Sequence, residues 1–132
     1  MRILLDESLP RPFADELTGL DVATARDQGW AGLRNGVLLR AAVDTGFDVL
    51  LTADRSLPYQ QNLRKIGISV IVLTGVRNRI QDLRFLVTQI SSVLPMLKRG
   101  DALEIGPLKG DVICDRSIAD QLLATAAARG FT

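Results

Sequence analysis

The sequence predicts an α/β protein, a three-layer α/β/α sandwich around a central, mainly parallel sheet. Three observations carry that expectation. Val49–Thr52 is a short apolar, β-tolerant run without the polar alternation that a solvated sheet face imposes, as in a strand buried on both faces. Strand-like runs alternate along the chain with stretches whose apolar residues recur at three- and four-residue steps. Two of the strand-like runs also finish on carboxylates: Ile3-Leu4-Leu5 leads into Asp6 and Glu7, and Val49–Thr52 leads through Ala53 to Asp54. In open α/β sheets, ligands collect just beyond the carboxyl ends of the strands.

The first strand covers Arg2 to Leu5. Pro10 and Pro12 then lead into a helix of about two turns with Phe13, Ala14 and Leu17 on one face; proline costs little where the N–H groups lack partners anyway. Gly19 ends that helix, and Asp21–Ala25 reads as a second short strand. A loop passes through Gly29-Trp30-Ala31-Gly32 to Asn35, expected at the N-cap of a helix running from Val37 to Asp44. Gly46 closes it, and the Val49–Thr52 strand follows. Pro58–Lys65 predicts one helix that sets Tyr59 and Leu63 four apart, and Ile68–Leu73, rich in β-branched residues, predicts the fourth strand.

The alternation to this point implies parallel strands joined by right-handed crossovers. A longer helix is expected from Ile80 to Leu97, with Leu83, Leu86, Val87, Ile90, Val93, Leu94 and Leu97 on its apolar stripe and Pro95 kinking or ending it. Beyond Gly100, Ala102–Ile105 and Val112–Cys114 read as edge strands about a Gly106-Pro107 turn, and Ser117 as the cap of a last helix, Ile118–Arg129. One domain is expected over 1–132, with its core in 1–98 and the edge strands and last helix in 99–132.

Composition narrows the chemistry. With 132 residues, 47% of them hydrophobic, the chain suits a single core. No segment carries the roughly 18 uncharged apolar residues of a membrane span, and the acid at Asp6 argues against a secretory leader. Cys114 is the only cysteine, so no intrachain disulfide can form, which fits a reducing cytoplasm. A net charge of +1 supplies no global attraction to nucleic acid and leaves only local basic patches to do so. Histidine is absent, which removes Ser-His-Asp and Cys-His catalysis and imidazole–zinc sites. A metal would be held by oxygen, which points to Mg²⁺ or Mn²⁺.

Asp6, Glu7 and Asp54 are the candidate chemical groups. Carboxylates crowded at one sheet edge repel unless a cation neutralises them, and Mg²⁺ needs only one or two carboxylates plus water. Side chains alternate along a strand, so Asp6 and Glu7 share a crevice only if the strand has already ended. The structural alternative is that each acid caps the helix that follows it. Arg55, Arg77 and Arg79 are candidate phosphate contacts, and Trp30, between glycines, is a candidate for base stacking or for a lid over the core. Tyr59 reads as a packing residue.

The opening Met1-Arg2-Ile3-Leu4-Leu5-Asp6-Glu7-Ser8-Leu9-Pro10 and the segment Val49-Leu50-Leu51-Thr52-Ala53-Asp54-Arg55 resemble the two hallmark segments of the compact bacterial PIN-like proteins, a family related to the Mut7-C RNase domain. The resemblance covers roughly residues 1 to 80. It implies a PIN-like sandwich and, by analogy with PIN toxins, Mg²⁺-dependent cleavage of RNA, with an antitoxin protein as inhibitor. Asp6 and Asp54 match the family's acidic metal-holding positions and Glu7 a recurrent neighbour; where relatives carry a further acid, this chain has Asn35. Asn35 would then orient metal or water without adding charge, and Asp82 lies too far into a helix to serve as a fourth acid.

Two other readings stay open. Asn35 in place of an acid suits a degenerate, non-catalytic module that binds RNA or a protein. A phosphoacceptor receiver would use Asp6, Glu7, Asp54, Thr74 and Lys109, though the stretch from Ala102 to Cys114 is poor material for its regular fifth parallel strand and helix. The oligomeric state, a homo-oligomer included, stays open as well.

Overall fold

The computed structural model describes residues 1–74 and 83–106. Five strands, β1 (Arg2–Leu5), β2 (Asp21–Thr24), β3 (Val49–Thr52), β4 (Ser69–Leu73) and β5 (Ala102–Ile105), form one sheet in the order β2-β1-β3-β4-β5. Every pairing is parallel, as expected from the alternation of strands and helices along the chain. The chain moves outward from β1 in one direction to β2, then crosses back past it to β3, so the strand order reverses between β1 and β3. Crevices at such switch points are where open α/β sheets bind ligands.

Side-chain alternation splits the core into two layers. Ile3, Leu5, Val49, Leu51, Ile71, Leu73 and Leu103 pack on one face against Phe13 and Leu17, from and just after α1 (Phe13–Glu16), and against Leu83, Leu86, Ile90 and Val93. Leu4, Leu50, Val70, Val72 and Ala102 pack on the other, against α2 (Asn35–Thr45), α3 (Leu57–Gln60) and α4 (Leu63–Ile66). These are the three layers that the sequence predicts.

Several elements differ from their sequence reading. The α1 helix is a single turn, because Leu17 already leaves helical geometry two residues before Gly19. The Pro58–Lys65 helix is instead two turns, α3 and α4, broken at an extended Gln61; Asn62 restarts it by accepting the Lys65 N–H at 3.1 Å. Tyr59 and Leu63 therefore lie on separate helices, although both pack on the same core layer. The expected long helix is, where described, a 3₁₀ turn (Arg84–Leu86), α5 (Val87–Val93) and a second 3₁₀ turn (Leu94–Met96) containing Pro95.

The stretch from Ala102 does supply a regular fifth parallel strand, registered Ile71 to Leu103 and Leu73 to Ile105. The β4-to-β5 connection carries its helical segment on the α1 face, whereas β3-to-β4 travels the same way across the sheet over the opposite face. Its hand is therefore opposite to that of the crossovers before it, a departure from the usual rule. Val112–Cys114, Ser117, the Ile118–Arg129 helix, Asp82 and Lys109 lie outside the described residues. Among the described residues no helix is long and apolar enough to cross a membrane.

Candidate functional site

The register places Leu5 opposite Leu51, and the ladder continues one step further, with Asp6 N–H donating to the Leu51 carbonyl at 2.9 Å. That step sets Asp6 beside Thr52 at the tips of the two central strands. Asp6 is only 7% exposed. A carboxylate so buried needs donors, and its Oδ2 accepts from the Thr52 hydroxyl at 2.8 Å and from the Ser8 hydroxyl at 2.7 Å. Each hydroxyl also accepts a backbone N–H: Thr52 Oγ1 from Asp54 at 3.1 Å, and Ser8 Oγ from Ala53 at 3.1 Å.

Asp54 is held from two directions. Its Oδ1 accepts the Ser56 hydroxyl at 2.6 Å and the Ser56 N–H at 2.9 Å, a local turn that starts α3. Its Oδ2 accepts Asn35 Nδ2 at 3.2 Å. The Ser56 hydroxyl is the main reason that the Asp54 carboxyl sits below the usual carboxylate range; burial pushes the other way, and the Ser56 amide and Asn35 add to the downward pull.

The Asn35 contact corrects one expectation. The N-cap of α2 is Arg34, and Asn35 is the first helical residue, so its side chain is free to reach Asp54, nineteen positions on.

Glu7 follows the end of β1, and with the strand finished both acids line one cleft of about 240 Å³ with Thr24, Arg11 and Arg26. Glu7 also accepts the Gly32 N–H at 2.9 Å, which pins the loop carrying Trp30. Trp30 itself is half-buried on the α2-side core, edge-on to Phe47 with ring centroids 6.1 Å apart, the lid position rather than an open stacking platform. Arg55 lies 3.9 Å from Glu104 of β5, two strands across the sheet from β3. Arg77 and Arg79 lie outside the described residues.

The structure thus puts Asp6 and Glu7 at one cleft and pairs Asp54 with Asn35 beyond β3, and it links the two sets through the Thr52 hydroxyl, which touches the Asp6 carboxylate and the Asp54 N–H. Sequence reasoning passed over Thr52 and Ser8, the hydroxyls that join the two strand tips. The available signal was Thr52 two residues before an acid, the spacing at which a hydroxyl can take the acid's own amide. Among the described residues no three carboxylate or thiolate side chains gather at one point.

No family model, no curated protein and no solved structure matches the chain.

Proposed function

We propose that the protein is a Mg²⁺- or Mn²⁺-dependent endoribonuclease of PIN-like type, a cytoplasmic toxin restrained by an antitoxin protein. The observation that carries this reading is the placement of Asp6 and Asp54 at the tips of the paired central strands, at the switch point of the sheet. Asp6 and Asp54 would hold the ion, two carboxylates being enough for Mg²⁺ when water completes the shell. A bound ion supplies charge neutralisation at a phosphodiester and an acidified water. Asn35 orients the Asp54 carboxylate, Thr52 and Ser8 orient Asp6, and Arg26 in the adjoining cleft offers a cation to the substrate's phosphate.

The test is cleavage of single-stranded RNA by purified protein with Mg²⁺, Mn²⁺ or EDTA. Cleavage is expected with either ion, abolished by EDTA and lost in the Asp6→Asn/Asp54→Asn variant. Cleavage by that folded variant at the wild-type rate overturns the reading.

A second reading, a non-catalytic module that binds RNA or a protein, is favoured by one observation: both Asp54 oxygens are already engaged. Mg²⁺ titration by calorimetry separates the two, since such a module shows no saturable site. The strand order also suits a phosphoacceptor receiver, although the hand of the β4-to-β5 connection does not; phosphorylation of Asp54 by acetyl phosphate would identify one.

A further inference from the structure

The outer surface between α2 and the α3–α4 pair carries two open hollows of about 640 and 610 Å³. Both are lined by Arg40, Gln60 and Gln61, so they lie side by side along the groove between these helices, which we call the trough. One end is walled by Arg34 and Asn35, the residue that holds Asp54; the other is walled by Asn62 and Lys65. Along α2 the lining runs from Asn35 to Asp44, about 13 Å at the helical rise.

The charge along this trough is one-sided. Arg34, Arg40 and Lys65 are exposed and, among the described residues, have no ion-pair partner. Asp44 is the single acid in the lining. Elsewhere on the described surface Arg2, Arg11, Arg55 and Arg84 are each paired with an acid, while Arg26, Arg64, Lys98 and Arg99 are not, so the trough is marked by three unpaired cations sharing one polar lining with a single acid. Between the three cations the walls present the amides of Asn35, Gln60 and Gln61, which can donate to and accept from a polar chain. Cations spaced along a polar trough suit a polyanion whose charges repeat. No aromatic ring is in the lining, and Tyr59 and Trp30 both pack on the core layer beneath α2–α4, so the surface offers phosphate contact in place of base stacking.

We propose that single-stranded RNA is held in this trough through its phosphates by Arg34, Arg40 and Lys65, with the strand entering the Asp6–Asp54 site past Asn35. The assignment rests on the ribonuclease reading for what happens at the acids and stands on the trough's own charge for binding. It places the substrate track on the α2–α4 side of the strand tips, away from Arg55. The track holds the backbone and carries no sequence readout.

The test separates binding from cleavage. Fluorescein-labelled oligouridylate is titrated by fluorescence anisotropy in EDTA, at several salt concentrations, against wild type, Arg34→Ala/Arg40→Ala/Lys65→Ala and the reversal Arg40→Glu, each checked for fold by circular dichroism. The triple variant is expected to raise Kd by about tenfold or more and to flatten the logarithmic salt slope by about 0.7 for each phosphate that is no longer neutralised. Wild-type affinity in the folded triple variant, or no saturable binding by the wild type at low salt, overturns the proposal. If binding follows the prediction but no metal supports cleavage, the track stands and the nuclease reading falls. If RNA is cleaved while the triple variant binds and cleaves like the wild type, the nuclease stands and the track falls.

Discussion

Thr52 donates its hydroxyl to Asp6 at 2.8 Å while accepting the Asp54 N–H at 3.1 Å. One fully buried hydroxyl thus connects the carboxylate at the tip of β1 to the backbone of the acid beyond β3. Removing it would leave Asp6 short of a donor and Asp54 N–H short of an acceptor at once.

Thr52→Val keeps the shape of the side chain and deletes that hydroxyl. The expected cost is about 1–3 kcal/mol, read as a lower urea midpoint with an unchanged slope. Thr52→Ser, which retains the hydroxyl, should recover a measurable part of that stability. A valine variant as stable as wild type would mean that the bridge contributes nothing net.

Asp54 makes stability depend on pH. Its folded pKa lies below the unfolded value of roughly 3.9, so the folded state binds its proton less readily. The resulting stabilisation is present in full above the unfolded value and is lost as pH falls through the folded one. Asp54→Asn should therefore be less stable than wild type at neutral pH, with the gap narrowing below about pH 4. Urea titrations at a series of pH values check this; a gap constant into strong acid contradicts it.

Asn35→Asp would set a second negative charge against Asp54 Oδ2. Without metal the like charges should lower stability and raise the Asp54 pKa. With metal, the added carboxylate should tighten Mg²⁺ binding by about tenfold. Calorimetry in both conditions decides it, and unchanged or weaker Mg²⁺ binding counts against a cation site at these strand tips.

Two glycines with left-handed backbones should respond differently to alanine. Gly29 (φ +80°) has open space where a Cβ would stand, so Gly29→Ala should cost only the backbone term, about 1–2 kcal/mol. At Gly100 (φ +90°) the added Cβ would lie 2.9 Å from Arg64 Cα, so backbone must move as well. Gly100→Ala should cost about 3 kcal/mol or more. Equal shifts in the urea midpoint would show that the Gly100–Arg64 approach is not tight.

Much of the site was legible from residue order alone. The apolar runs ending at Leu5 and Thr52 located the strand tips, and the acids that follow them could only fall at the sheet's carboxyl edge. What stayed hidden depended on contacts between distant positions. Residue order offers Asn35 both as a cap of its own helix and as a member of the acidic site, and only the fold chooses between them by giving it Asp54 as a partner. Thr52 read as strand filler because its two roles appear only once β1 lies alongside β3. The break at Gln61 was invisible because the apolar spacing of Tyr59 and Leu63 is the same whether one helix or two carry them.

By itself, then, the sequence determined a layered α/β protein and the chain positions of its acids, since both follow from local burial and from where each apolar run stops. Tertiary structure alone decided the strand order, the face on which the segment leading to β5 packs, and the pairing of Asp6 with Thr52 and Asp54 with Asn35. The physical reason is range: periodicity reports which side of an element is buried, whereas a hydrogen bond between residues many positions apart exists only after the sheet has set its register.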